Sequence, residues 1–346
     1  MTSRPHTSHH DIIVIGASAG GVEALTTIVQ GLPADLAASL FVVLHIPPDA
    51  PSLLPAILSR AGPLPCLHAT NNEEIRQGVI YIAPPDHHML LEHGRIHVVR
   101  GPRENRSRPA IDPLFRSVAQ TYGPRVIGVI LTGNLDDGTA GLFAVKRAGG
   151  IAVVHDPADA LYPSMPTSAL EYVQADHCVP VGDIAALLTQ LVAAPAPSKR
   201  ALATGDPSQQ EIQSVAMDTA DALNPDRPGT PSVFSCPECG GVLFELQDGA
   251  LTRYRCRVGH AFSPESMLAE QDHALETALW VALKTLEERA ALATTLAARA
   301  SERGSVQSQR RFEEMLKETQ AQVLSIRRVL LDSHGIMGHE GQEPPL

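Results

Sequence analysis

Short apolar runs alternate with helix-compatible stretches through the first half of the chain. Ile12–Ile15, Leu40–Ile46, Val79–Ala83, Val126–Thr132, Ile151–His155 and Cys178–Val181 are rich in β-branched residues, and most lack a polar-outward alternation. Runs of that kind predict strands buried on both faces. The apolar stretch from Val22 and the segment Gly141–Ala148, closed by Gly149-Gly150, predict helices between them. Met89–Val99 is predicted to fold as a hairpin around Glu92-His93-Gly94-Arg95. Strands alternating with helices predict an α/β fold, a doubly wound, mostly parallel, Rossmann-like sheet covered on both faces, over residues 11–192.

The pattern then changes. Residues 193–232 carry APAPSKRALATGDPSQQ and NPDRPGTPS, which read as a linker. Such a linker would let the C-terminal segments swing away from the first domain. Residues 233–262 form a small cysteine-rich module, read as a zinc ribbon. Ser263-Pro264-Glu265 is a helix start, with Ser as cap and Pro in the first turn. Leu268, Leu275, Leu279, Ala282, Leu286, Ala293 and Leu296 recur at steps near three and four, Gly304 interrupts, and Phe312, Leu316, Val323, Ile326 and Leu330 resume. This predicts a helical hairpin, or a coiled coil pairing between chains, over residues 263–334. Residues 1–10 and 335–346 are predicted to be disordered.

Composition narrows the function. The formal net charge of -11 speaks against a general nucleic-acid binder, and neither a membrane-spanning run nor a signal peptide is present. A cytoplasmic protein is expected. Of five cysteines, Cys236, Cys239 and Cys256 cluster; an odd, clustered set points to metal rather than disulfides. Together with His260 they give C-x2-C-x16-C-x3-H, four ligands for one structural zinc.

The candidate chemistry begins at Asp11-Ile-Ile-Val-Ile-Gly-Ala-Ser-Ala-Gly-Gly. Ser18 lies between a strand and a helix in a G-x-S-x-G turn, the position of a nucleophile elbow. The competing reading is a phosphate-binding turn of a nucleotide-binding Rossmann domain. The glycines do not fit G-x-G-x-x-G, however, and His45 rather than an acid ends the second strand. A serine hydroxyl needs a base, and a strand-end imidazole can supply one. Asp136 and Asp137 come after the buried run Val126–Thr132; either could orient His45 or merely cap a helix. Backbone N–H groups here and beside Ser18 are candidate oxyanion donors. His87, His88, His93 and His97 are read as solvated strand residues, and Arg106 and Arg108 as contacts to an acidic receptor or as a solvated loop.

GASAGG, VVLHIPP, YIAPPDHHMLL, ENRSRPAIDPLFRSVA, GVILTGNLDDGTAGL and PSMPTSAL occur in that order. In these segments the first ~190 residues resemble the catalytic domain of chemotaxis protein-glutamate methylesterases (CheB). The resemblance implies Ser18 as nucleophile, His45 as general base and Asp137, which directly precedes Gly138, as orienting acid. It implies the backbone N–H of Asn134 as an oxyanion donor, with Ala19 beside the nucleophile as the other. The implied reaction is hydrolysis of glutamate γ-methyl esters on a methylated chemoreceptor or related signalling protein, with glutamine deamidation as a related activity and no catalytic cofactor. The zinc module resembles a C-terminal extension of stand-alone family members, and the chain shows no receiver domain before Asp11. The C-terminal helices are expected to bind a kinase or a second copy. Two departures stand out: Ala19 replaces the usual Thr, and Asn134-Leu135-Asp136 replaces Met-Gly-Asn. They leave open a non-enzymatic or weakly active adaptor that keeps the fold.

Overall fold

The computed structural model describes residues 9–49, 51–197 and 229–337, with side chains to residue 332. The expected N-terminal tail, most of the linker and the C-terminal tail fall largely outside the described residues. The chain divides into two units, Met1–Met267 and Leu268–Leu346.

In the first unit, β1 (Ile12–Ala17), β2 (Ser39–Leu44), β3 (Cys66–His68), β5 (Ile80–Ile82), β8 (Val126–Ile130), β9 (Ile151–His155) and β10 (His177–Val179) form one sheet. Its order is β10-β9-β8-β1-β2-β5-β3, and every pairing is parallel. The expected doubly wound α/β fold is therefore present. Its order reverses beside β1, because β1 pairs with β2 on one side and β8 on the other.

Both faces are covered, so alternate β1 residues enter different cores. Ile13, Ile15 and Ala17 pack with Leu25 and Ile28 of α1 (Gly21–Gly31), Leu58 of α2 (Leu54–Ala61) and Leu188 of α6 (Val181–Ala193). Ile12 and Val14 share the other core with Phe115 of α3 (Ile111–Tyr122), Leu142 of α4 (Thr139–Arg147) and Met165 of α5 (Ser164–Tyr172). The predicted hairpin is β6 (His88–Glu92) and β7 (Arg95–Val99), turning at His93 and Gly94 with φ 46° and 82°. It forms a small sheet with β4 (Glu73–Glu74), and Met89, Leu91 and Ile96 close the second core.

The cysteine-rich module is an antiparallel sheet of β11 (Thr230–Ser235), β12 (Val242–Asp248), β13 (Leu251–Cys256) and β14 (Ala261–Phe262). Its first strand reaches back into the predicted linker. The module does not stand apart from the sheet domain as the linker suggested. It belongs to the same compact unit, because its residues hydrogen-bond and ion-pair with the loop before α3.

The second unit is the helical hairpin: α7 (Pro264–Glu302), whose first turn belongs to the first unit, and α8 (Val306–Met337). The break falls at Gly304, with φ 69°. Phe312, Leu316, Val323 and Ile326 are half-buried and Leu330 is buried, as the periodicity predicts. The stripe differs at its start: Leu268 and Leu275 are 60% and 58% exposed, while Leu283, Ala297 and Ala300 are buried.

Close packing at the centre of the sheet gives a direct check. A Cβ on Gly16 would lie 2.5 Å from Ile111 Cγ2. Gly16→Ala is expected to cost about 1–3 kcal/mol through overpacking, read as a lower urea midpoint at unchanged m-value.

Candidate active site and metal centre

Three connections at the C-terminal edge of the sheet build the site. Ser18 comes directly after β1; its N–H donates to Thr132 O at 3.0 Å, and its carbonyl accepts from Gly21 N–H at 2.9 Å. Gly20 turns the chain into α1 with φ 71°. A Cβ on Gly133 would sit 2.7 Å from Ser18 Cβ and 2.1 Å from Met165 Sδ, so a side-chain-free residue is needed there. His45 comes directly after β2, and its N–H donates to Ala17 O at 3.1 Å. Asp137 lies in the turn between β8 and α4.

The structure brings His45 and Asp137 together: His45 Nε2–H donates to Asp137 Oδ2 at 2.7 Å. Nδ1 is then the ring nitrogen that can accept a proton. Ser18 and His45 share no hydrogen bond among the described residues. The N–H groups of Ala19 and Asn134 have no protein acceptor among the described residues, so both can donate to an oxyanion. Leu135 takes φ 61°, a left-handed conformation that favours glycine, so the substitution in this turn is carried as backbone strain.

Asp137 is 2% exposed. Burial alone would raise its pKa, but the charge-assisted bond from His45, the Ile111 N–H at 2.7 Å and the Asn105 amide at 2.9 Å outweigh burial and hold the carboxyl below the ordinary range. Ile111 opens α3, so the carboxylate caps a helix N-terminus. Asp136 goes elsewhere: it accepts from Ser263 Oγ at 2.7 Å, and burial pushes it up to about 8. Of the two adjacent carboxylates, Asp137 is the one that contacts His45.

Two surface assignments need correction. His88 is fully buried rather than solvated; Nε2 bonds Pro102 O at 2.9 Å and Nδ1 accepts from Ala110 N–H at 3.2 Å, tying down both ends of the loop before α3. Arg108 is held by Asp86 at 2.6 Å and by Gly101 O at 2.7 Å, so it braces that loop from within. A cavity of about 310 Å³ beside His45 is lined by Ile46, Pro47, Pro48, Arg103, Arg106 and Ser107, among others. A larger one, about 660 Å³, lies by Asp11 and Arg125 at the opposite strand ends, away from Ser18.

The four predicted metal ligands also converge. The thiols of Cys236, Cys239 and Cys256 and a ring nitrogen of His260 all lie within 4.8 Å of one another. Cys239 Sγ is 3.7 Å from Cys256 Sγ, and His260 Nδ1 is 3.7 Å and 3.6 Å from the sulfurs of Cys236 and Cys256. Bonds of about 2.3 Å to sulfur place tetrahedral edges near about 3.7 Å, so the donor set fits a zinc-sized ion. Glu238 lies 3.5 Å from His260 Nε2, where a carboxylate orients a ligating imidazole. Gly240, at φ 71°, closes the first knuckle through Gly240 N–H to Cys236 O at 2.7 Å.

Residues 13–188 match the family model described as CheB methylesterase. The chain belongs to the CheB methylesterase family. It is 39% identical over 184 residues to a putative protein-glutamate methylesterase/protein-glutamine glutaminase of Leptospira interrogans, covering 53% of this chain and 95% of that protein. A protein-glutamate methylesterase/protein-glutamine glutaminase of Methanosarcina mazei is 33% identical over 197 residues, and there the match spans 54% of the relative's length. The crystal structure of the Thermotoga maritima CheB methylesterase catalytic domain aligns with a TM-score of 0.51 at 35% identity, covering 53% of this chain and 98% of that one.

Within the CheB methylesterase domain, sequence reading passed over Asp112 and Asn105. Asp112 is 3% exposed, accepts from Gly141 N–H at 2.6 Å and shares the Asn105 amide with Asp137. Its only signal was an acid in the first turn of a helix. Burial and the neighbouring Asp137 charge raise Asp112 to about 7. An unfolded aspartate titrates near about 4, so the folded state retains a proton between about pH 4 and 7 that the unfolded state has lost. Stability therefore falls as pH rises through that window, and Asp136 acts with the same sign. Asp137 has the opposite sign, losing its contribution only as pH falls below about 4. Asp112→Asn should flatten the decline in urea midpoint between about pH 4 and 7.

Proposed function

We propose that this chain hydrolyses glutamate γ-methyl esters on methylated chemoreceptors or related signalling proteins, releasing methanol. The observation that carries the reading is the 2.7 Å bond from His45 Nε2–H to a buried Asp137 carboxylate, at the sheet edge that also carries Ser18. His45 Nδ1 takes the proton of Ser18 Oγ as the oxygen attacks the ester carbonyl. The N–H groups of Ala19 and Asn134 receive the developing oxyanion. The tetrahedral intermediate collapses as His45 returns the proton to the departing methoxide. Water, activated by the same nitrogen, then frees the glutamate. Asp137 fixes the tautomer and offsets the imidazolium charge. Attack on a glutamine amide takes the same course with ammonia leaving, which gives the deamidation that the relatives are named for. Arg103 and Arg106, lining the cavity beside His45, suit an acidic receptor segment.

Cys236, Cys239, Cys256 and His260 would hold a zinc ion that stabilises the small sheet. Four protein ligands leave no open position for catalysis. The exposed Leu275, Trp280 and Leu292 of α7 support self-association or kinase binding by the helical unit.

Methanol release from a methylated receptor fragment tests the activity. Ser18→Ala is expected to abolish it, by about six orders of magnitude, and Asp137→Asn to lower it about ten-thousandfold. Asp136→Asn should leave kcat nearly unchanged; the reverse ranking of the two aspartates would refute this site. Elemental analysis of reduced, freshly purified protein should find one zinc per chain, and well under one equivalent would remove the metal assignment.

A further inference from the structure

The cysteine-rich module meets the CheB methylesterase domain at several places, among them Arg147 beside Asp248 and Pro102 beside Gly259, and one of these places, Glu104-Asn105, holds Asp137. Asn105 is 8% exposed and takes a left-handed backbone with φ 47°. Its Nδ2 donates to Asp137 Oδ1 at 2.9 Å and to Asp112 Oδ2 at 3.0 Å. Its Oδ1 accepts from Ser263 N–H at 3.0 Å and from Ser266 Oγ at 3.1 Å. The amide orientation is dictated by its partners: only the NH2 end can face two carboxylates, and only the oxygen can face the Ser263 N–H. Its own N–H donates to Ala261 O at 2.8 Å, while Ala261 N–H donates to Arg103 O at 3.3 Å. The loop thus runs beside β14, whose first residue is next to His260 in sequence.

Two further links fasten the same place. Ser263 and Ser266 form a reciprocal capping box at the start of α7: Ser266 N–H donates to Ser263 Oγ at 3.0 Å, and Ser263 N–H to Ser266 Oγ at 2.9 Å. The box aims Ser266 Oγ at Asn105 and Ser263 Oγ at Asp136. Next to Asn105, Glu104 is 1% exposed and pairs with Arg116 of α3 at 2.5 Å and with Arg255 of β13. A buried carboxylate shared by two guanidiniums from different modules resists separation, because removing either partner leaves charge buried without its counterion.

We propose that Asn105 is a positioning residue for Asp137, and that the metal-bearing module locks Asn105 in place, so that loss of the metal weakens catalysis without any metal contact to substrate. This rests on the Ser18–His45–Asp137 reading. The mechanism is steric and electrostatic. With Asn105 gone, Asp137 loses a donor on the oxygen that does not face His45. Asp137 and Asp112 then face each other without the amide that bridges them. The carboxyl of Asp137 should rotate or hold its proton more readily, and His45 loses a fixed partner.

The test uses the full chain with its zinc content measured. Two readouts are taken: kcat and KM for methanol release across pH, and the downfield proton resonance of His45 Nε2–H. The resonance reports the His45–Asp137 bond even if the chain releases no methanol, so failure of the proposal is distinguishable from failure of the esterase reading. Asn105→Ala is expected to lower kcat at least tenfold with KM within twofold. The acid limb of the pH profile should move upward, and the His45 resonance should broaden or shift. Ser266→Ala should show the same changes at smaller size. Stripping zinc with a chelator should do likewise, and zinc addition should restore both readouts. Asn105→Ala that folds with the wild-type resonance, kcat and pH profile would overturn the positioning role. Metal-free protein that keeps both readouts would overturn the coupling to the module. If Asn105→Ala fails to fold, Ser266→Ala and metal removal decide the question on the same criteria.

Discussion

A carboxylate shielded from water must be surrounded by donors, and the burial of Asp137 is the constraint on which the site depends. Its partners come from widely separated parts of the chain: His45 after β2, Asn105 in the loop before α3, and the first N–H groups of α3 at Ile111 and Asp112. Each satisfies part of the desolvation cost of the charge, and together they fix where its oxygens point. Pinning the carboxylate also pins the imidazole, because His45 Nε2–H has one strong acceptor in reach. The position of the imidazole is therefore a consequence of how α3 starts and how the β8–α4 turn is shaped.

That arrangement crowds carboxylates. Asp112, Asp136 and Asp137 lie close enough to raise or lower one another, and their environments separate them. Asp137 has a cationic or donating partner on each oxygen and stays charged. Asp136 has a serine hydroxyl and burial, and favours the neutral form. Unequal environments let one carboxylate serve His45 while its neighbours do not compete as charges. The left-handed geometry at Leu135, with φ 61°, is the local cost of turning Asp136 toward Ser263 and Asp137 toward His45 in consecutive residues.

The C-terminal half contributes differently in its two parts. The small sheet with its Cys3His set has too few buried apolar residues to hold itself together; its core is Leu243, Phe262, Met267 and two of the cysteines. The Arg255–Glu104 pair supplies part of what the core lacks, and an ion held by the converging Cys3His donors would supply the rest. The helical unit begins one residue after Met267, and its apolar stripe buries alanines and Leu283 while leaving Trp280, Leu292 and Leu331 exposed. No helix among the described residues is long and apolar enough to cross a membrane.

What the sequence determined by itself were features set by local chemistry. Apolar β-branched runs such as Ile12–Ile15 read as strands covered on both faces, and the C-x2-C-x16-C-x3-H spacing foretold that Cys236, Cys239, Cys256 and His260 would converge. That Ser18, His45 and the Asp136-Asp137 pair lie at one edge was legible because strand ends in a parallel sheet converge there whatever the loops do, while the choice of Asp137 rested on the family resemblance. What only the tertiary structure decided were contacts across long sequence separations. Nothing in ENRSRP marks Asn105 above Arg106 or Arg108, yet the fold turns the asparagine inward to Asp137 and pairs Arg108 with Asp86. His88 sits in a hairpin that reads as solvated, and it is buried because the loop before α3 folds over it. A Pro- and Gly-rich linker implied independence for the cysteine-rich module, while Glu104, Arg116 and Arg255 bind it to the CheB methylesterase domain. Periodicity reports which face of an element is apolar; it carries no record of which distant polar group will meet a buried charge, and burial is what makes that meeting obligatory.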